Sequence, residues 1–295
     1  MSVTTTATDP VHDPLPPAGQ PPRQRKARSA VRRGSSVLLL QLAILVAFFA
    51  VWEFGPRIDA LQTAIPFLDP YFISSPSEVF DQLKALSTGD DTVSMWSYVW
   101  ATVLASIVGI VAGSLLGAAA GLFLSNSQML SDVFRPFLVA INAVPRIALI
   151  PIIVIICGPS MKASVVTAIM VVFFVVFFNA YEGGRSVPSQ VIQNARMLGA
   201  SKRQVMFSIR LRYVQAWSFA ALPNAVSFGL MAVVTSEILT GSVGLGRLLL
   251  ESVTTVQSSL TFAVVVVLSI LGLILVVGTD LLNKRLMHWW FQNDR

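Results

Sequence analysis

The sequence predicts an all-α membrane protein with six transmembrane helices, and three observations carry the prediction. Apolar residues make up 54% of the 295 and charged residues only 12%, with a mean hydropathy of +0.71. Such a chain has too little charge to cover a soluble surface, and a bilayer is the solvent that suits it. Six apolar stretches, at about 37–54, 97–124, 136–157, 163–180, 217–240 and 260–282, are long enough to cross roughly 30 Å of hydrocarbon at about 1.5 Å per residue. Between the fourth and fifth, residues 181–213 form a polar, basic segment that is too long for a tight turn and too well patterned for a slack linker.

Residues 1–34 read as a disordered tail, rich in Pro, Thr and Asp before the basic run Arg23, Arg25, Lys26, Arg28, Arg32 and Arg33. A secretory signal is a poor fit, because no small-residue cleavage site follows Trp52-Glu53-Phe54; the segment is kept as the first span. The membrane domain then runs over 35–290, with a short tail at 291–295. In the first connection, Ser75-Pro76-Ser77-Glu78 has the form of a capping box with Pro at the first helical position. Val79, Phe80, Leu83 and Leu86 follow at helical spacing, which predicts an amphipathic helix at the membrane surface.

The second span carries Gly109, Gly113, Gly117 and Gly121 four residues apart, hence on one face. Small residues at that spacing admit a second helix at close range, either as a fixed packing seam or as a face along which helices slide. The third span holds Arg146 between Pro145 and Pro151. Proline removes a backbone donor, so a broken helix is expected there. The cation suits either of two settings: pairing with carbonyls or headgroups at the inner interface, or a fixed positive site for an anionic substrate in mid-membrane. Glu237, near the outer end of the fifth span, precedes Gly241, Gly244 and Gly246, which permit a tight loop; that loop is either a plain turn or part of the substrate path.

Within the polar segment, Val187-Pro188 offers a helix start, and Val191, Ile192, Ala195 and Leu198 recur at helical spacing before Gly199 stops the run. Ser201 with Gln204 forms a second capping box, ahead of an apolar face of Val205, Met206, Ile209 and Tyr213. Lys202 and Arg203 occupy the first turn, where the macrodipole disfavours cations, so they suit an acidic partner or lipid headgroups.

Alternating spans put Arg135, Arg185, Arg196, Lys202, Arg203, Arg210, Arg212, Lys284, Arg285 and Arg295 on the side of the basic N-terminus. The opposite side receives Arg57, Lys84, Lys162 and Arg247. By the positive-inside rule both termini and the 181–213 segment are cytoplasmic, and the net charge of +6 needs no nucleic-acid partner. The single cysteine, Cys157, excludes an intrachain disulfide and a thiolate metal cluster; no metal site or cofactor is expected. The only histidines are His12 and His288, and no carboxylates pair at a recognisable spacing, so no catalytic residue is assigned and a membrane enzyme is the weakest reading. No Gly-x-x-x-x-Gly-Lys-Ser/Thr pattern occurs, so this polypeptide does not bind ATP by that device. The second to fourth spans contain no Asp, Glu or His, which favours an external motor over a proton- or sodium-driven transporter or a channel, the leading alternative.

The words of the loop, Asn194-Ala195-Arg196-Met197-Leu198-Gly199-Ala200-Ser201, resemble the EAA loop of ABC importer permeases. Ser75-Pro76-Ser77, Ala143 to Pro151, and Ser236-Glu237-Ile238 through Gly244-Leu245-Gly246 resemble the nitrate/sulfonate/taurine-type members; the resemblance covers roughly 37–290. Gln193 stands where that pattern has Glu, and Arg212 where a Leu-Pro pair would put Pro. The resemblance implies the ABC importer permease fold, with a cytoplasmic coupling helix in the loop. It also implies two cytoplasmic ATPase subunits, an extracytoplasmic solute-binding protein, and a second permease copy, in a bacterial plasma membrane. It makes Ala195, Gly199, Ala200, Ser201, Lys202 and Arg203 the coupling residues. Its substrates would be nitrate, sulfonates, taurine or vitamin-precursor heterocycles.

Overall fold

The computed structural model describes residues 25–58, 69, 72–88 and 95–286, with the backbone alone at 25–36, 38 and 286. The tails at 1–24 and 287–295 lie outside the described residues, and with them His12, His288 and the 291–295 tail. Helix α1, Arg25–Phe54, begins ahead of the boundary at 34 read from the sequence. Its portion to Val51 forms a unit by itself, and the remainder of the chain forms a second.

The second unit is built on three long helices: α3 (Met95–Ser125), α6 (Met161–Arg185) and α8 (Lys202–Thr240). Both partners of the α3 seam are set by size. A Cβ on Gly113 would lie 2.8 Å from the Ile169 carbonyl oxygen, one on Gly117 would lie 2.6 Å from that of Phe173, and one on Gly121 would lie 2.6 Å from Ala180 Cβ. Gly109 abuts Ala168 in the same way. The stripe is thus packed along its whole length on α6, as small residues four apart permit. Ala105, Ala168 and Val233 fill one core cluster, and Ile110, Val172, Val176, Ala225 and Val226 another. Moving along the glycine stripe, contacts on α6 advance in step, so α3 and α6 run parallel. On α8 they run backwards, from Val233 beside Ala168 to Trp217 beside Gly183, so α8 is antiparallel to both.

That geometry decides the path between α3 and α6. Two parallel neighbours require the chain between them to return to the starting end. The return is made by α4 (Gln128–Ala143), a 3₁₀ turn at Arg146–Leu149, and α5 (Ile150–Cys157). The axes bend by 84° at the break. The expected single span at 136–157 is therefore one crossing made of two helices. Pro145 supplies no N–H, and it pushes Val144 into extended geometry at φ −71°, ψ 125°. Among the described residues, five helices are individually long and apolar enough to cross a membrane, and the bent pair, taken as one span, is a sixth.

Two smaller helices dress the end where α3 begins. Helix α2 (Pro76–Thr88) buries Val79 and half-buries Leu83 and Leu86, but Phe80 points outward. The expected box at its start is replaced: Glu53 accepts from Ser77 N at 3.0 Å and from Ser77 Oγ at 2.9 Å, while Glu78 accepts from Ser74 and Ser259. Helix α9 (Leu245–Thr254) packs between α8 and α10 (Ser258–Leu286), with Leu230, Leu245, Val264 and Leu271 buried together.

Candidate functional site

The loop end is a folded device. Helix α7, Ser189–Met197, stops in paired turns: Ala200 N donates to Ala195 O at 2.9 Å and Gly199 N to Arg196 O at 3.0 Å. This Schellman arrangement needs a left-handed residue, and Gly199 supplies φ +85°. Two residues on, Ser201 and Gln204 close the expected reciprocal cap, with Ser201 N donating to Gln204 Oε1 at 2.8 Å and Gln204 N to Ser201 Oγ at 3.2 Å. The helix that starts there does not end before the fifth span. It continues through a π-helical turn, Val205–Arg210, into the rest of α8, so the free loop is shorter than 181–213. Val205 and Met206 are buried as expected. Ala195 and Ala200 are half-buried, and Lys202 and Arg203 are exposed, with the Arg203 guanidinium 5.9 Å from the Phe207 ring centroid. Leu198 is 89% exposed, beside Met197 at 78%.

Arg210 ties this device to the bundle. Its Nη1 donates to Gly184 O at 3.1 Å and also to Ser125 O, the terminal carbonyls of α6 and α3. A guanidinium suits that place, because helix C-termini present unpaired carbonyls and the negative end of the dipole. Beside it, Arg185 Nη1 donates to Ser131 Oγ at 2.7 Å and to Tyr181 Oη at 2.8 Å, and those two hydroxyls bond each other. Sequence reasoning missed both clasps. Arg210 and Arg185 look like ordinary members of the basic loop, and nothing in their spacing marks them.

Arg146 sits at mid-height. Its guanidinium lies 5.7 Å from the centroid of Phe174, halfway along α6, rather than at either end of that helix. Nη2 donates to Asn142 Oδ1 at 2.9 Å, while Nε is buried without a partner among the described residues. The side chain lines a cavity of about 310 Å³ with Asn142, Val171, Phe228 and Met231. The cation thus stands level with the middle of α6.

Glu237, at 1% exposure, lies at the far end and outside that cavity. Both carboxylate oxygens accept from Thr102 Oγ1, at 2.9 and 3.0 Å, and one accepts from Gly246 N at 2.9 Å. Thr102 in turn accepts from Leu245 N at 2.8 Å. These two side chains, from α8 and α3, thus cap the first N–H groups of α9. Gly244 and Gly246 are small because a Cβ on either would run into Glu237. Arg146 and Glu237, the two candidates for the substrate path, are not brought together. Thr102 is a further residue that the sequence did not single out. Among the described residues, no three His, Cys, Asp or Glu side chains are grouped to hold a metal ion.

Comparison with known proteins agrees with this architecture. The chain is 26% identical to a probable ABC transporter permease protein of Haemophilus influenzae, over 84% of this chain and 96% of the relative. It is 27% identical to a riboflavin transport system permease protein of Chloroflexus aurantiacus, over 85% and 89%. With a taurine transport system permease protein of Escherichia coli it shares 23% identity, over 86% and 91%. Residues 109–288, from the glycine seam through α10, match one family throughout. An all-helical bundle with one broken crossing and a capped helix between α6 and α8 is what that match covers, and the chain belongs to the binding-protein-dependent transport system inner membrane components, the permeases of ABC transporters.

Proposed function

We propose that this chain is the permease subunit of an ATP-driven importer and forms the translocation pathway for a small solute, an organic or inorganic anion such as a sulfonate, taurine or nitrate, or a vitamin-precursor heterocycle. It catalyses nothing itself. Two ATPase subunits grip α7 from the cytoplasm, a binding protein delivers solute at the opposite end, and a second copy of the chain completes the pathway. Both termini lie in the cytoplasm of a bacterial cell, as the charge asymmetry supports.

The observation that carries this reading is α7. A short helix at the end of a membrane bundle presents exposed Met197 and Leu198, is stopped by Gly199, and is joined through Ser201 to the long helix α8, whose Arg210 holds the ends of α6 and α3. A push on such an element moves α8 as a lever. Relatives named for riboflavin, taurine and nitrate transport support the importer direction. The mid-height Arg146 supports an anion.

The test is purification from the native membrane in mild detergent, with mass spectrometry of the proteins that co-purify. Recovery of an ATPase subunit, depleted from a Gly199→Val sample, supports the reading. Its absence under conditions that preserve the oligomer rejects it in favour of a self-powered transporter.

A further inference from the structure

We infer that two cavities along α6 are consecutive stations of one path for an organic monoanion, a molecule with a carboxylate or sulfonate at one end and an apolar body. This rests on the importer reading above and names the solute class for it. The first station is the Arg146 cavity at mid-height. The second, of about 390 Å³, is lined by Arg135, Phe178, Tyr181, Glu182 and Arg185 at the loop end of α6. Asn142 lines both, so the two spaces meet at one side chain. Arg135 and Asn142 lie two helical turns apart on one face of α4, and the break at Pro145 brings Arg146 to the next position along the same path.

The chemistry of the first station selects the class. The Arg146 fork has one nitrogen committed to Asn142 and a buried Nε–H with no partner among the described residues, a donor that a planar or tripodal oxyanion satisfies. The remaining walls are apolar: Val144, Ile147, Val171, Phe228 and Met231. Among the described residues no carboxylate lines this cavity, so a zwitterion finds no counter-charge for its ammonium group; the Phe174 face is already covered by the guanidinium. A bare inorganic ion makes the charge contact and leaves most of the cavity of about 310 Å³ unfilled. At the second station two guanidinium groups outnumber the one carboxylate. Arg185 is held in place by Ser131 and Tyr181 and stacked 5.6 Å from the Tyr181 ring centroid. An anion leaving Arg146 therefore meets Asn142 and then a cationic vestibule, rather than an apolar barrier.

The experiment is a titration of the detergent-purified complex, with the partners that co-purify, using benzenesulfonate, benzoate, taurine and nitrate as probes and thermal stability as the readout. Benzenesulfonate and benzoate are expected to raise the midpoint saturably. Arg146→Gln is expected to weaken their apparent affinity at least tenfold and Arg146→Lys by less, while Arg135→Gln weakens it a few-fold. Taurine and nitrate are expected to shift the midpoint little. The inference is overturned if neither aromatic anion binds saturably, if Arg146→Gln binds them as well as the unchanged protein does, or if taurine or nitrate bind as tightly. Should Arg146→Gln fail to fold, the Lys and Arg135→Gln variants carry the comparison. The ATPase content of the same preparation is scored separately, so an anion site without an ATPase would refute the importer reading and leave this inference standing.

Discussion

Glu237 and Thr102 face each other across the α8–α3 contact with three donors converging on them: the Thr102 hydroxyl, 2.9 Å from the carboxylate, and the N–H groups of Leu245 and Gly246. Four residues from three helices thus share one buried polar knot. Its chemistry predicts a ranked series. Glu237→Ala strands a buried N–H and opens a void, costing about 1–3 kcal/mol for the unmet donor alone. Glu237→Gln keeps an accepting oxygen and costs less. The thermal midpoint of the purified protein should fall in the order unchanged, Gln, Ala. An Ala variant as stable as the unchanged protein would remove the capping role.

The seam between α3 and α6 predicts a contrast between two glycines. Gly113→Leu forces side-chain atoms into the Ile169 carbonyl and Val172, so folded, membrane-inserted protein should be lost. Gly278→Ala, where a Cβ meets nothing within 4 Å, should leave the yield unchanged. Fluorescence-detected size exclusion on crude detergent extracts reads both. A normal peak for Gly113→Leu would contradict the close-packing account.

Much of this was legible in the sequence for physical reasons. The glycine stripe, the Pro145 break and the Ser201 cap each rest on local rules that packing does not override: absence of a Cβ, absence of an N–H, and a hydroxyl three residues before the N–H it accepts from. Glu78 misled because its spacing was right but a better partner existed elsewhere. Glu53 caps α2 from another helix. Arg210, Thr102 and the Arg185 clasp were illegible because their partners lie far along the chain, and the partners of Arg210 are backbone carbonyls, which have no residue type.

Arg210 is expected to matter for both stability and coupling. Arg210→Met leaves Ser125 O and Gly184 O without their shared donor, at a cost on the order of 2 kcal/mol for charge-assisted bonds. Arg210→Lys restores charge but not the planar reach to two carbonyls. Thermal stability should fall in the order Arg, Lys, Met. A Met variant with unchanged stability and uptake would show that the clasp is idle.

Gly199→Val acts locally. A β-branched residue at φ +85° is strained by about 1–2 kcal/mol, yet a Cβ there meets nothing within 4 Å. Insertion and overall fold should therefore persist while the end of α7 shifts. In reconstituted vesicles the variant should hydrolyse ATP without solute uptake, and preserved solute-stimulated uptake would refute the coupling role of this turn.

An external motor docked on α7 is open to a direct test by photocrosslinking. A benzophenone amino acid is placed at Leu198, which is 89% exposed, and in a separate sample at Phe80, which is 68% exposed on the opposite end of the bundle. The account predicts a covalent adduct with an ATPase subunit from position 198 and none from position 80. No ATPase adduct from 198, or the same adduct from 80, would contradict it.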